Sequence, residues 1–410
     1  MGMERLPATG PDVFGHFLNL IADNTVRTVV RFRKRMQRSH LVLVLESLLK
    51  EESILSCRLV QDGDWMYWEP QEGIDPEDYV HEFWSQDEDP FPYCHSPVPD
   101  HSAPQIRITL IHGPEMDHMI LSCNHSVLDG KGMKELTRIT LERCAGRKAD
   151  CFPSHIPNRS EMPIWDAIPD DWMLGHEEDW PYCRWPSLYS RMGRVDGRII
   201  MREVSVEKML DIRRSLPFRA TIHDLLIASF YMALLEMRGG EEGGVVSSTV
   251  DDRRYMNPPF PSLANISSNY GLELPYAATF LEALKEVSKG HARMKEDYIG
   301  LPNLAEFSRI KTVTEMEDMV LSMRSGCGTD EAQYFISNLG PYDVDEETVR
   351  SLGIESLFGT YNGSEPPTIG ITVSTFQGVM NMNAGYFAGI DKDRLQAFMD
   401  RMVRCLEQGE

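Results

Sequence analysis

SCNHSVLDGKG, residues 122–132, places His125 directly after a run that reads as a β-strand and four residues ahead of the Asp129-Gly130 pair. A strand thus delivers the histidine to its C-terminal end. Asp-Gly then forces a tight turn into a helix, expected from about Gly132 through GMKELTRITLERC with Met133, Leu136 and Ile139 on one face. A rigid boundary of this kind is where functional side chains tend to be presented. Three roles compete for His125. It can be a core histidine satisfied by backbone, with Asp129 capping the next helix and Gly130 serving the turn. A metal role is poorly supported, because Cys123-Asn124-His125 does not supply three or four convergent donors. A serine-hydrolase role is equally weak, because no G-x-S-x-G elbow occurs. General base is the chemical role that is left.

Outward from the motif, the first half alternates short strands with helices. TVVRFRK reads as a strand and SHLVLVLESLLKEE as a helix with Ser39 as N-cap. ILSCRLVQDGDWMYWEP reads as a hairpin turning at Asp62-Gly63, and QIRITLIHGPEMDHMILSCNH as another turning around Gly113-Pro114. Residues 151–195 lose this periodicity and carry four of the seven tryptophans, 165, 172, 180 and 185. That stretch reads as a linker or crossover, with its tryptophans more often packing than binding. The second half restarts with a strand, RIIMREV, and a helix that Pro217 ends. TIHDLLIASFYMALLEMR follows, with Thr221 and Asp224 spaced as a capping box. GGEEGG is a turn rather than a phosphate cradle, since a strand, VVSSTVDDRR, follows it and not a helix with Lys-Ser/Thr. QYFISNLG, TIGITVSTFQG and VMNMNAGYFAG are further strands, the last two a hairpin, and DKDRLQAFMDRMVRCLEQ is a closing helix. The expected class is α+β in two halves, 1–150 and 196–410, joined by 151–195.

The 410 residues are 42% hydrophobic and 25% charged, which suits a chain that buries its own core. Eight scattered cysteines without a C-x-x-C pair indicate neither a zinc site nor a disulfide framework. The N-terminus lacks an apolar h-region and no stretch is apolar enough to span a bilayer, so a cytoplasmic monomer is expected. A net charge of −22 argues against nucleic acid. Against that background VRTVVRFRKRMQR carries Arg27, Arg31, Arg33, Lys34, Arg35 and Arg38 with no acidic residue. It is either a solvated face or a landing patch for an anionic partner, with Arg31, Arg33 and Arg35 as candidate donor contacts.

His125-Ser-Val-Leu-Asp129-Gly130 resembles the H-x-x-x-D-G signature of the acyltransferase superfamily that includes chloramphenicol acetyltransferase. Peptide-synthetase condensation domains, alcohol acetyltransferases, polyketide-associated acyltransferases and wax ester synthases share it. TIHDLLIASFYMAL is similar to the Thr-x-x-Asp helix that opens the family's second half, and TVDDRRYMNP to its Val-Asp-x-Arg segment. NISSNYG looks like the Asn-containing strand after that, and FISNLGPYD like the Ser-Asn-x-Gly strand entering a late crossover. In order, these segments cover most of residues 25–400. Condensation domains usually carry two adjacent histidines, and Asn124 stands at the first of those positions, which moves the resemblance toward the stand-alone acyltransferases.

The resemblance implies two mixed sheets flanked by helices, meeting in a V with a tunnel between them. His125 would be the base, and a backbone N–H near Gly130 would stabilise the oxyanion. Asp129 would be structural and pair with Arg253, or with Arg254 if the register differs by one. Ser337 and Asn338 would lie at the donor. The donor would be an acyl thioester, of coenzyme A or of an acyl carrier protein, and the acceptor an alcohol or amine. No cofactor or metal is implied. A catalytically silent binding module and an acyl thioesterase remain as alternatives.

Overall fold

The computed structural model describes residues 5–20, 22–149, 184–191, 193, 196–256, 263–310, 312–325, 330–361, 363 and 366–410. The first half runs α1 (Gly10–Leu18), β1 (Thr25–Phe32), α2 (Arg38–Glu51), β2 (Cys57–Asp62), β3 (Trp65–Pro70), β4 (Val80–Trp84), β5 (Ile106–His112), β6 (Asp117–Asn124) and α3 (Gly130–Cys144). The second begins with β7 (Arg198–Ser205), α4 (Val206–Ser215), α5 (Ile222–Arg238), β8 (Gly244–Asp251), β9 (Ser267–Leu274) and α6 (Phe280–Glu296). It continues through α7 (Leu301–Arg309), α8 (Val313–Ser325), β10 (Tyr334–Pro341), α9 (Glu346–Leu352), β11 (Ile354–Thr360), β12 (Ile369–Phe376), β13 (Val379–Tyr386) and α10 (Lys392–Gln408).

The two largest sheets are mixed, while β2 and β3 pair in a smaller antiparallel one. The first has the order β11-β1-β6-β5-β4, antiparallel except for the parallel β4–β5 pair. The second has the order β9-β8-β10-β12-β13-β7, with β8–β10 and β10–β12 parallel. The motif strand β6 is buried at every position and lies at the centre of its sheet. Such a strand is an immobile support, because it cannot shift without breaking two ladders. In the second half α5 is the counterpart. Its residues 224–235 are all buried, and the Thr221–Asp224 capping box satisfies its first orphan N–H groups.

Several expectations need correction. Helix α2 starts at Arg38, its N-cap is Gln37 and no side chain caps it, so Ser39 lies inside the helix. Helix α3 begins at Gly130 rather than Gly132, because the Asp129 side chain already accepts from the Gly132 N–H. β8 ends at Asp251, and Arg253 sits on the 3₁₀ turn that follows. Of the tryptophans in 151–195, 165, 172 and 180 lie outside the described residues. Trp185 is buried, donates from Nε1 to the Val245 carbonyl at 2.8 Å and has Arg238 4.6 Å from its ring, so it serves packing.

The boundary near 150–196 does not separate the packing. β11 comes from the second half yet forms the edge of the first sheet, against β1. Val313, Met316 and Val320 of α8, and Val349 and Leu352 of α9, join the apolar cluster formed by β1, β6, α2 and α3. The second cluster gathers around α5, α10 and the second sheet. β11 is also stitched to that second sheet by side chains. Gly359 N–H donates to Ser374 Oγ at 3.0 Å, and Asn383 Nδ2 donates to the Gly359 carbonyl at 2.9 Å. Polar residues at those buried positions satisfy a backbone that no strand ladder reaches on that side.

Candidate active site

The chain around His125 is fixed on both sides by buried amides. Asn124 donates from Nδ2 to the Val98 carbonyl at 2.7 Å, and its Oδ1 accepts the Ser126 N–H at 2.8 Å. The His125 N–H donates to the Asn24 carbonyl at 2.9 Å, and Asn24 in turn donates to the Gly15 carbonyl at 2.6 Å. Helix α1 can come that close because residue 15 is glycine: a Cβ there would lie 2.6 Å from Ser126 Oγ. The imidazole is thus aimed by its backbone.

His125 itself is half-buried, between neighbours on either side that are fully buried. Asn265, on the approach to β9, places its Nδ2 3.3 Å from the ring Nδ1 and donates to the His125 carbonyl at 3.2 Å. Burial lowers the pKa of the ring, while hydrogen bonds with its own backbone and that of Leu128, and the Asp129 charge, oppose the shift without cancelling it. The neutral imidazole is therefore the dominant form at neutral pH, which is the form that can accept a proton. Asn265 lies within NISSNYG, which the resemblance picks out as a strand. Nothing in its spacing relates it to a histidine 140 positions earlier.

Asp129 turns away from the ring. Its Oδ2 accepts from Arg253 Nη1 at 2.7 Å and from the Ile266 N–H at 2.8 Å, and its Oδ1 from Arg253 Nη2 at 3.1 Å and the Gly132 N–H at 2.9 Å. Both partners are nearly excluded from solvent, at 1% for Asp129 and 7% for Arg253. Burial alone would raise the carboxyl pKa, but the Arg253 charge and these hydrogen bonds outweigh it and hold the carboxyl below its usual range. Arg253 also donates to the Ala264 carbonyl at 2.6 Å, whereas Arg254 donates to the Asp251 carbonyl at 3.0 Å. The expected pairing with Arg253 is thus what the structure has, and it bridges the two halves beside His125. With all its acceptor sites used, Asp129 cannot orient the imidazole in the manner of a triad.

Gly130 opens α3 and is half-buried, so its N–H belongs to the helix end that lacks intrahelical acceptors. The Asp129 carboxylate caps this helix end by accepting the Gly132 N–H.

Ser337 and Asn338 part company. Asn338 places its Nδ2 3.3 Å from His223 Nδ1 on α5, on the helix-covered face of the second sheet. Alternation sends Ser337 to the other face, where its Oγ accepts from Thr249 Oγ1 at 3.0 Å. Its row continues through Thr372 and Asn383, the residue that holds β11, so Ser337 faces the first half. Ser337 and Asn338 thus lie on opposite faces of the strand, and Asn338 joins a network through His223. That network runs from His223 Nε2 to Tyr270 Oη (2.9 Å), on to His291 Nε2 (2.8 Å), and from His291 Nδ1 to Asp224 Oδ1 (2.6 Å).

The basic stretch is engaged internally. Arg27 is fully buried against Asp23, the Thr25 carbonyl and the Ser96 carbonyl. Arg31 lies 5.7 Å over the Phe358 ring, and Arg33 pairs with Glu355. Arg35 grips the Gly113 carbonyl at 2.8 Å and Asp117 at 2.5 Å, which clamps the β5–β6 turn. Lys34 caps the carbonyls of Arg350 and Ser351, and Arg38 pairs with Glu77. Five of these six side chains have a hydrogen-bond or ion-pair partner within the chain, while Arg31 has the Phe358 ring and a buried Nε with no hydrogen bond among the described residues. Among the described residues no His, Cys, Asp and Glu group is arranged to hold a metal, and no helix is long and apolar enough to cross a membrane.

No protein-family model matches the chain, and no curated protein matches it in sequence. Solved structures do match over nearly its whole length. A trichothecene 15-O-acetyltransferase from Fusarium sporotrichioides aligns at a TM-score of 0.70 and 13% identity, covering 98% of this chain and 95% of that one. The first condensation domain of the calcium-dependent antibiotic synthetase aligns at 0.68 and 16%, covering 100% and 97%. The starter condensation domain of rhizomide synthetase, in complex with C8-CoA, aligns at 0.66 and 13%, covering 98% and 94%. Two mixed sheets, a strand crossing between them and a histidine at the strand-to-helix elbow are thus built on the fold of condensation domains and chloramphenicol acetyltransferase-like acyltransferases.

Proposed function

We propose that the protein is an acyltransferase that moves an acyl group from a thioester to an alcohol or amine, with His125 as general base. The observation that carries this reading is the state of His125. It is backbone-anchored, neutral and half-buried, and its neighbouring carboxylate is fully occupied elsewhere. A core histidine would be sealed, and a triad histidine would own the carboxylate. The acetyltransferase and the C8-CoA-bound domain that share the fold support the same chemistry.

In the reaction, the acceptor oxygen or nitrogen attacks the thioester carbonyl carbon as Nε2 takes its proton, which requires the neutral tautomer protonated at Nδ1, the one whose ring N–H can donate to its own backbone carbonyl. The carbonyl oxygen becomes an oxyanion, for which a backbone N–H near Gly130, at the start of α3, is the donor in this reading. Collapse breaks the C–S bond, and the proton on His125 passes to the departing thiolate. The products are an ester or amide and a free thiol. The thioester is already activated, so the reaction needs no further cofactor. A base held within hydrogen-bond reach contributes roughly 10²–10⁴-fold.

The test is release of free thiol from acyl-CoA of graded chain length, with and without pooled alcohols and amines. Release that depends on the pool, together with an acylated product by mass spectrometry, is the expected outcome. Release independent of the pool would make the protein a thioesterase, and none with any donor would make it a binding module.

A further inference from the structure

Leu339 stands where the two halves meet at the motif. A Cβ placed on Gly130 would lie 2.3 Å from Leu339 Cδ2, and one placed on Gly359 would lie 2.4 Å from Leu339 Cδ1. Both distances are far inside contact, so glycine at the two positions is what admits the leucine. One is the first residue of α3, whose N–H faces the acyl oxygen in the proposed reaction. The other lies on the crossing strand β11. Leu339 follows Ser337 by two residues, so it shares the face that looks toward the first half. Like Gly130 and His125 it is half-buried rather than sealed.

Its backbone is held from several directions. Lys134, one turn into α3 from Gly130, donates from Nζ to the Leu339 carbonyl at 2.7 Å. Asn338 Oδ1 accepts the Gly340 N–H at 3.0 Å. The β10–β12 register shifts between Asn338 and Pro341, with Gly340 at φ +71°. Behind Asn338 stands the His223–Tyr270–His291–Asp224 network. A segment pinned this firmly presents one side chain at one place.

We propose that Leu339 is the residue that selects the acyl group by size. This rests on the reading that an acyl thioester reacts at His125. An apolar side chain pressed on Gly130 occupies space beside the reacting carbonyl, so what it excludes is the hydrocarbon part of the donor. Leu339→Ala opens that space over both glycines. In an apolar pocket one methylene changes kcat/KM by roughly tenfold or more, so the preference should move toward longer chains by that order.

Acyl-N-acetylcysteamine thioesters from acetyl to decanoyl are the probes, with thiol release read for wild type, Leu339→Ala and the volume-conserving Leu339→Met. Melting curves confirm folding, and affinity for unacylated CoA serves as a control that the substitution leaves unchanged. The expected result is a wild-type cut-off in chain length that Leu339→Ala moves at least two carbons upward and Leu339→Met leaves in place. A wild type that turns over, with the same chain-length profile in Leu339→Ala, overturns the selector while leaving the acyltransferase reading intact. A wild type that releases no thiol from any probe overturns the reading itself, and the selector with it.

Discussion

At the scale of single residues, His125 is defined by what surrounds it rather than by its own chemistry. Its N–H is tied to Asn24 and its carbonyl to Asn265, and burial lowers its pKa toward the neutral form. The pH dependence follows with a definite sign. A base works in its neutral form, and a ring pKa lowered from 6.5 extends that form to lower pH. The acid limb of kcat/KM is therefore expected below pH 6.5, and a limb centred above it would contradict the assignment. Much of this was legible in the sequence, since H-x-x-x-D-G marks the histidine, the turn and the acid together. Asn265 was not, because a contact between residues 125 and 265 leaves no trace in local spacing. For the arginines, a run of like charge leaves a solvated face and a surface for an anion both open, and the Gly113 carbonyl and Asp117 that Arg35 holds are partners that charge counting along the chain cannot see.

At the scale of elements, the turn that opens α3 is locked to the 3₁₀ turn after β8 by the Asp129–Arg253 pair. Removing one partner leaves the other charged in a buried place, which costs roughly 3–5 kcal/mol, against about 1 kcal/mol for a lost helix cap alone. Asp129→Ala and Arg253→Ala should each show the larger loss in chemical denaturation, and the double variant should lose much less than the sum. Additive losses would mean that the two residues act separately. The acid limb of stability is linked to the same pair. The Asp129 carboxyl is held below its unfolded value, so its contribution is present above about pH 3.9 and is lost as pH falls through the lower folded value. This pairing was legible once the Val-Asp-x-Arg segment was matched. Its setting was less so, because a strand pattern through VVSSTVDDRR does not show where pairing stops and the 3₁₀ turn begins.

At the scale of the whole molecule, one of the two largest hydrophobic cores takes elements from both sides of the chain's midpoint. β11 closes the first sheet, and α8 and α9 lend side chains to the first core. Periodicity shows that an element has a buried face, but it does not say which sheet covers that face. Composition suggests a division over 151–195, but it carries no sign that Val313, Met316, Val320 and the strand Ile354–Thr360 pack with the residues before it. A consequence is that Met316, fully buried in the first core although it lies in the second half, should cost about 2–5 kcal/mol on truncation to alanine, read as a shift of the denaturation midpoint. A loss below 1 kcal/mol would argue against that packing. The halves so joined meet at His125, where Asn265 of the second half reaches its ring and carbonyl, and the role of that histidine is the centre of the account. Acceptor-dependent thiol release by His125→Ala, measured beside wild type at matched folded fraction, tests that role most directly. Activity lower by roughly 10²–10⁴-fold with a melting temperature close to wild type is the expected result. A variant that still transfers at the wild-type rate, or that loses activity only in proportion to unfolded protein, would contradict it.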